Sequence, residues 1–318
     1  MRFRTLSSLA LSCMLLQPAD AATSPRELVV AGRVDEAIQT LEQQVSRTTT
    51  DSDAYNLLCR AYFMIDEWDR GIPACERARN LDPQNSLYHL WLGRIYGEKA
   101  DRAGFLSAAG LAKRVRVEFE RAVELDPKNS DARVDLAEFY FSAPGIVGGG
   151  KDKARAQAEA LAAFNPAVAH YVSGRIAESE KNSATAEREY RAAIEASHGT
   201  AHAWLHLAQF LAHTNRLDEM QQALRSMESS PVDRPEALMD GASLLLRTGR
   251  EYPMAVRLLR RYLSNGPVEE GPAFKAHDLL GQLFEKQGDP RAAEEYRAAL
   301  ALSHTYTRAQ EHLKRVEH

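Results

Sequence analysis

This sequence lacks a large net charge, because its 40 Lys and Arg nearly balance its 44 Asp and Glu, and its pI is near 6.2. Proteins that grip nucleic acid through its phosphates need a basic surface, so the balance argues against that role. Glycine and proline are also sparse, and with 44% hydrophobic residues the composition excludes collagen-like and disordered classes. Beyond the first two dozen residues, no apolar stretch is long enough to span a bilayer.

Signatures of catalysis are missing as well. The chain has no Ser-His-Asp order, no G-x-S-x-G elbow and no pattern of paired carboxylates. His202 and His206 stand four apart, a spacing that can hold zinc, with His198 and His213 nearby. The glutamate of H-E-x-x-H is absent between them, so surface histidines are the favoured interpretation, with His206 pointing away from any binding face. The sequence therefore predicts a protein that is not an enzyme and has no metal or cofactor.

Residues 145–151, Gly-Ile-Val-Gly-Gly-Gly-Lys, match the start of a phosphate-binding P-loop. A P-loop follows a strand and continues with a Ser or Thr that binds magnesium. Here a helix is expected before the motif, and Asp152 occupies the hydroxyl position, where its charge would repel phosphate. The segment is predicted to be a flexible loop between helices, and not a nucleotide site.

The N-terminal segment differs in character from the rest of the chain. An uncharged apolar run, Leu6–Leu16, follows two arginines and precedes Ala19-Asp20-Ala21, the small-x-small pattern that signal peptidase cleaves. We expect residues 1–21 to be a signal peptide cleaved after Ala21, and the mature protein to be periplasmic or secreted. A buried N-terminal helix and a lipoprotein anchored through Cys13 are the weaker alternatives.

A pattern of large and small apolar residues recurs along the remaining chain. Tyr55, Leu58, Cys59 and Tyr62 match the positions W-x2-L-G-x2-Y, and Asp82-Pro83 closes the unit. This resembles the tetratricopeptide repeat (TPR), whose unit has 34 residues. Later units repeat the pattern with Gly174, Ala186, Tyr190 and Ala193, then Trp204, Leu207, Ala208 and Leu211, then Leu280, Gly281, Phe284, Gly288, Ala292, Tyr296 and Ala299.

The resemblance implies an all-α protein, an α-solenoid of antiparallel helix pairs wound into a right-handed superhelix. Small residues would lie where the two helices of a unit approach most closely. Residues 22–304 are expected to form one array with a continuous concave groove, and residues 305–318 to form a capping helix. Eight units are expected, near residues 23–50 (partial), 52–85, 86–129, 130–166, 167–200, 201–235, 236–272 and 273–304.

Turn chemistry supports these boundaries. Asp82-Pro83 and Asp126-Pro127 should end second helices, because the residue before proline avoids helical conformation. Ser86 and Ser130 are expected to cap the helices that follow. Two units are longer than the standard repeat, and the excess is assigned to insertions between helices at residues 97–112 and 143–151.

In a TPR-like array the first helix of each unit lines the groove. Carrying the lining positions onto this sequence, we predict a partner-binding surface in which arginines recur at one helical station and aromatic residues serve as anchors. Its candidate residues are Asn56, Arg60, Phe63, Arg94, Glu138, Phe141, Tyr171, Arg175, His202 and Gln209.

Two cysteines remain after the signal peptide. Cys59 and Cys75 fall on the two helices of one unit, facing each other, and an oxidising compartment permits a disulfide between them. A pair of buried thiols is the alternative.

The favoured function is a scaffold that binds a protein or peptide in the concave groove, without nucleic acid and without a membrane span. The alternative is a component that delivers a small molecule or substrate to a transporter or envelope enzyme. That alternative would require a closed apolar pocket, for example under the loop 145–150.

Overall fold

The structure is a computed structural model that describes residues 23–266 and 268–317, without the side chains of residues 105 and 106. The predicted signal peptide with its cleavage point after Ala21, and Cys13, lie outside the described residues. Within them the chain is helical, and its one β-bridge joins Val268 and Gly271. The α-helices are α1 (Pro25–Val30), α2 (Val34–Arg47), α3 (Ser52–Met64), α4 (Trp68–Leu81), α5 (Ser86–Asp101), α6 (Phe105–Leu125), α7 (Ser130–Ser142), α8 (Lys151–Ala162), α9 (Pro166–Ser179), α10 (Ser183–Ala196), α11 (Ala201–His213), α12 (Leu217–Ser229), α13 (Glu236–Thr248), α14 (Tyr252–Asn265), α15 (Ala273–Lys286), α16 (Arg291–Leu302) and α17 (Thr307–Val316).

Consecutive helices pack as antiparallel pairs, and neighbouring pairs stack into an α-solenoid, as the sequence predicts. The first helices of neighbouring units also contact one another, for example α7 with α9 and α11 with α13. The first helices therefore form the inner face of the array. Helix α17 packs on α16 and α15 at the end of the stack.

Close approach within a unit depends on a small residue facing an aromatic ring. A β-carbon on Gly174 would lie 2.8 Å from the ring of Tyr190 in the paired helix. Gly93 faces Phe119 and Gly281 faces Tyr296 in the same way, and both rings leave no room for a β-carbon. The aromatic side chains fill the space that the glycines leave open.

Asparagine, and not serine, caps the helices that follow the Asp-Pro turns. The Oδ1 atom of Asn85 accepts from the Leu87 amide at 3.1 Å, and that of Asn129 accepts from the Ala132 amide at 3.0 Å. Ser86 and Ser130 are the first helical residues, so the prediction that they act as caps was wrong by one position. An asparagine side chain can accept from the next turn at the N-cap, which makes it at least as good a cap as serine.

The long third unit contains no large loop. Helix α5 ends at Asp101 and α6 begins at Phe105, so the residues assigned to an insertion at 97–112 lengthen the two helices instead. Alanine, leucine, lysine and arginine dominate this stretch, and these are strong helix formers. In the fourth unit the extra residues do lie between helices, as a short 3₁₀ turn at Gly145–Val147 followed by three glycines.

The array curves until its last unit contacts its first two. Asp35 of α2 accepts hydrogen bonds from the Thr305 hydroxyl at 2.8 Å and the His304 amide at 2.5 Å, and Arg308 pairs with Asp66 at 3.2 Å. The side chains of Phe274 and Tyr306 are buried in the same apolar cluster as the N-terminal helices. The groove is thus interrupted where the ends meet, in contrast to the continuous groove expected from the sequence.

We predict opposite effects for the same substitution at two glycines of α5. Gly93→Ala should destabilise the protein by about 1–2 kcal/mol, because the added methyl group overlaps the Phe119 ring. Gly97→Ala should be neutral or stabilising by up to about 1 kcal/mol, because nothing lies within 4 Å and alanine favours a helix. Urea unfolding followed by circular dichroism tests both. Equal midpoints for the two variants would contradict the close-approach argument.

Candidate functional site

The inner face carries a series of ion pairs between neighbouring first helices and across the array. Arg94 Nε lies 2.6 Å from Asp135 Oδ2, linking α5 to α7, and Arg175 Nη1 lies 2.6 Å from Glu138 Oε1, linking α9 to α7. Arg234, in the loop before α13, reaches across to Asp131 at 3.3 Å. We call these pairs, together with Arg60–Glu269, the inner network.

The arginines predicted to recur at one station all belong to the inner network. Arg60 and Arg94 both approach the ring of Trp91, with guanidinium carbons 5.1 and 5.0 Å from its centroid. Such cation–π contacts fix the guanidinium planes. Each arginine already has a carboxylate partner within the chain, so its charge is compensated without any ligand.

Burial raises the pKa of three carboxylates of the inner network. It raises the pKa of Asp135, although Arg94 opposes the shift, and it raises the pKa of Glu138, opposed by Arg175. The pKa of Glu269 is raised for the same reason, with Arg60 opposing. The carboxylates are therefore held in a poorly hydrated environment in which each depends on its arginine.

The structure separates the predicted surface residues into a buried group and an accessible group. Asn56 and Arg60 are buried, with 2% and 9% of their surface exposed, and Phe63 is half-buried with its ring edge-on to Trp91. The half-buried members are Arg94, Glu138, Phe141, Tyr171, Arg175, His202 and Gln209.

Four of the half-buried residues come together at the ends of α7 and α9. Arg175 Nη1 donates to the hydroxyl of Tyr171 at 3.0 Å, and that hydroxyl lies 3.4 Å from Glu138. The guanidinium of Arg175 also lies 5.5 Å from the ring centroid of Phe141. Helix register explains the grouping, because Tyr171 and Arg175 are one turn apart and Glu138 and Phe141 are three apart.

A cavity of about 300 Å³ opens beside this group. It lies where the C-terminal ends of α7, α9 and α11 meet on the inner face. Glu178 at its wall lies 3.4 Å from Nδ1 of His213, whose side chain is 70% exposed. The cavity, which we call the inner cavity, is lined by Phe141, Ser142, Arg175, Glu178, Ser179 and His213.

The structure places His202 and His206 of α11 in contact with each other, which the sequence did not predict. His206 is buried, stacks on Tyr171 with ring centroids 3.8 Å apart, and lies 4.1 Å from the ring of His202. The prediction that His206 is a surface residue turned away from the binding face was therefore wrong. Helix α9 approaches α11 closely enough for Tyr171 to cover it.

The geometry of the glycine-rich segment argues against a P-loop, because the amides of its three consecutive glycines are already bonded. The Gly148 amide donates to Gly145 O, the Gly149 amide to Pro144 O at 3.2 Å, and the Gly150 amide to Tyr140 O at 2.7 Å. Phosphate binding needs free amides at this position. The segment forms a hydrogen-bonded turn between α7 and α8.

A second cavity, of about 390 Å³, lies between α8, α9 and α10 and includes Ala158, His170 and Glu189 in its lining. Neither cavity contains a residue of the loop 145–150, where a closed pocket for a small molecule was expected. In the part of the chain that the structure describes, no three His, Cys, Asp or Glu side chains are arranged to hold a metal ion. Nor do these residues include a helix with the length and apolar character needed to cross a bilayer.

The cysteines lie as the sequence expectation places them, on α3 and α4 of one unit. The Cα atoms of Cys59 and Cys75 are 5.1 Å apart, and their Sγ atoms are joined in the structure. This Cα separation is within the range that a disulfide spans.

Four residues of the inner network are absent from the predicted surface: Asp131 and Asp135 on α7, and Arg234 and Glu269. Arg234 and Glu269 belong to loops between units, and the repeat pattern assigns only first-helix positions to the groove. No local signal distinguishes them, because their partners are far away in sequence.

Comparison with known proteins supports the helical-repeat architecture. Two family models, both described as tetratricopeptide repeat, match residues 28–95 and 171–224. No curated protein matches the chain in sequence. Among solved structures, yeast Tom70 is similar with a TM-score of 0.54 and 15% identity, over 97% of this chain and 66% of that one. At this identity the similarity shows the fold alone.

Two bacterial structures are similar at lower TM-scores. A thermophilic TPR protein of Thermus thermophilus has a TM-score of 0.49 and 17% identity, covering 59% of this chain and 97% of that one. A tetratricopeptide repeat protein of Parabacteroides merdae has a TM-score of 0.40 and 16% identity, covering 88% and 100%.

We predict that His202 makes the protein less stable in mild acid. Burial lowers the pKa of His202 to about 4, with Arg234 adding to the shift, whereas the unfolded value is near 6.5. The folded state thus binds fewer protons, so stability should fall as the pH drops from about 6.5 to 4. The loss attributable to His202 should be about 1–3 kcal/mol.

The measurement compares urea unfolding of the wild type and of His202→Gln between pH 7 and pH 4. The difference between the two removes the contribution of the titrating groups that do not interact with His202. If the two curves stay parallel across this range, the assignment to His202 is incorrect.

Proposed function

The chain belongs to the tetratricopeptide-repeat superfamily, and we propose that it is a non-catalytic scaffold that holds a partner protein or peptide at the inner cavity, in the periplasm or outside the cell. Stacked helical repeats present extended inner surfaces that suit protein–protein interaction. The observation that carries the finer proposal is the inner cavity itself, the place on the inner face where predicted surface residues lie beside open space.

The chemistry of the inner cavity fits a peptide segment with one apolar side chain and a polar flank. Phe141 offers a half-buried apolar surface, and aromatic residues and arginine are enriched at the centres of protein interfaces. Arg175 contacts Glu138 and Tyr171 through Nη1, so its Nη2 edge is available to donate to a carbonyl or carboxylate of a partner. Glu178 and His213 supply an acceptor and a titratable donor at the rim.

We propose a non-catalytic role because the charged groups of the inner face pair with one another. In the described residues, the carboxylates of the inner network each pair with an arginine, an arrangement that holds neighbouring helices together. General acid–base catalysis needs a proton-donating or proton-accepting group directed at the substrate. Around the inner cavity Glu178 is bonded to the Tyr190 hydroxyl, which favours a structural role for this carboxylate.

We predict that a photo-crosslinking amino acid in place of His213 captures one specific segment of a partner protein. The side chain is exposed at the rim of the inner cavity, so a bound segment should lie within reach. Mass spectrometry of the crosslinked peptides from intact cells would identify that segment. Phe141→Asp in the same protein should reduce its yield roughly tenfold or more, because the apolar anchor becomes a buried charge.

Val117 provides the matched control, since it is 53% exposed on α6, a second helix of its unit. A crosslinker at position 117 should not capture the same segment. Capture that is equally efficient at both positions, or unchanged by Phe141→Asp, would reject the inner cavity as the binding site.

The proposed compartment makes a prediction about the mature chain. Protein isolated from its native cell should begin at Ala22 and carry no free thiol, because export removes the signal peptide and permits the Cys59–Cys75 bond. Intact mass under non-reducing conditions, with and without alkylation, measures both properties at once. A chain that takes up alkylating reagent at Cys59 or Cys75 without reduction would contradict the oxidising compartment, and a chain that retains residues 1–21 would contradict cleavage after Ala21.

A further inference from the structure

A turn between α14 and α15 inserts an acidic side chain into the inner face of the second unit. Glu269 is 7% exposed, and its carboxylate receives hydrogen bonds from both Nε and Nη2 of Arg60, which is 9% exposed. The two residues are 209 positions apart in sequence. This two-point contact is the geometry with which arginine recognises a carboxylate specifically.

The surroundings of Arg60 form a recess for a carboxylate and an adjacent apolar group. Trp91 lies against the guanidinium at 5.1 Å, and Phe63 meets Trp91 edge-on at 5.4 Å. Asn56, one helical turn before Arg60, is 2% exposed, and its Nδ2 atom has no hydrogen-bond partner among the described residues. Buried amide donors are rarely left without an acceptor, so this recess has donor capacity that Glu269 does not use.

The turn is held in place from its own side of the array. The Tyr262 hydroxyl accepts from the Val268 amide at 2.8 Å and also contacts the carbonyl of Gly271. A β-bridge between Val268 and Gly271 closes the turn. Glu269 is therefore presented to Arg60 by a short, preformed backbone segment, as a bound peptide would present it.

We propose that the turn Val268–Gly271 is an intramolecular ligand, which occupies a carboxylate-binding recess formed by Asn56, Arg60 and Trp91 and must be displaced before an acidic partner segment binds there. The inference rests on the proposed function in that it assumes a partner at the inner face. The inference adds a second subsite, about two units away from the inner cavity. The partner segment that binds this subsite should carry an acidic residue next to an apolar one.

The ends of the array can stay together when the turn leaves. Asp35 with His304 and Thr305, Asp66 with Arg308, and the buried Phe274 and Tyr306 all join the ends without Glu269. Removing the Glu269 carboxylate should therefore empty the recess and leave the solenoid folded.

A peptide copied from the chain itself tests this without knowledge of the partner. The probe is an acetylated, amidated peptide of residues 264–274, Ser-Asn-Gly-Pro-Val-Glu-Glu-Gly-Pro-Ala-Phe. It should bind Glu269→Ala roughly tenfold or more tightly than it binds the wild type, in which the recess is occupied. Isothermal titration calorimetry or fluorescence anisotropy gives the two affinities.

The neighbouring carboxylate supplies the matched controls. Glu270 is exposed on the same turn, so Glu270→Ala should bind the peptide as weakly as the wild type does. A peptide with glutamine for Glu269 should bind Glu269→Ala roughly tenfold or more weakly than the parent peptide, because the charge-assisted pair is lost. Equal binding of the peptide to Glu269→Ala and Glu270→Ala, or of both peptides to Glu269→Ala, would overturn the proposal.

If Glu269→Ala does not fold, as judged by circular dichroism, hydrogen exchange of the wild type decides. Excess peptide should increase exchange of the amides at residues 268–271 by displacing the turn, and the glutamine peptide should not. No change with either peptide would refute the proposal. These assays do not involve Phe141 or His213. The displacement of the turn and the crosslinking at the inner cavity can therefore succeed or fail independently of each other.

Discussion

In three units the contact between a glycine and an aromatic ring sets the distance between the two helices, and the rest of the structure depends on this spacing. Where Gly174 faces Tyr190, the two helix backbones approach as closely as the ring permits, and the ring fills the space beneath them. The same contact recurs with Gly93 and with Gly281 in distant units. Stacking such units produces a curved array, and the curvature decides which side chains meet on the inner face.

That curvature has an electrostatic consequence. The first helices converge on the inner face, so their charged side chains come close to one another. A charged group in this poorly hydrated space needs an oppositely charged partner from the chain or from a ligand. Arg94 and Arg175 find Asp135 and Glu138 on the neighbouring helix. Arg60 lies near the point where the array ends meet and finds Glu269 from the far end of the chain.

The parts of this structure that the sequence predicts well are those determined within one or two helices. Helix pairs, Asp-Pro stops and the facing glycines and tyrosines follow from residues at most one repeat apart, and so does the placement of Cys59 opposite Cys75. The inner-face position of Arg60, Glu138 and Tyr171 follows from helical register in the same way. Errors at this level were small, such as the one-residue shift of the caps and the extra length of α5 and α6.

What the sequence could not predict depends on curvature accumulated over many units. A small change in the rotation between neighbouring units moves the last unit by many ångströms. No local sequence pattern determines this accumulated displacement. The closure by Asp35 and Thr305, the burial of Arg60 and the crossing of Arg234 to Asp131 all arise in this way. A prediction based on repeats could therefore not show that Glu269 and Arg234 reach the inner face.

If a partner binds on the inner face as we propose, the inner cavity and the recess at Arg60 make different demands on it. At the inner cavity, Phe141 and the free edge of Arg175 border open space, so binding requires desolvation but no displacement of the chain. At Arg60 the recess is filled by the turn. The binding free energy of a partner there is only the difference between the free energy of its own contacts and that of the contacts of the turn. A partner that spans both would bind first at the inner cavity, and its tethered acidic residue would then compete with Glu269 at a high effective concentration. Such an order of binding would make occupancy of the second subsite depend on partner length, which is a form of selectivity that neither subsite provides alone.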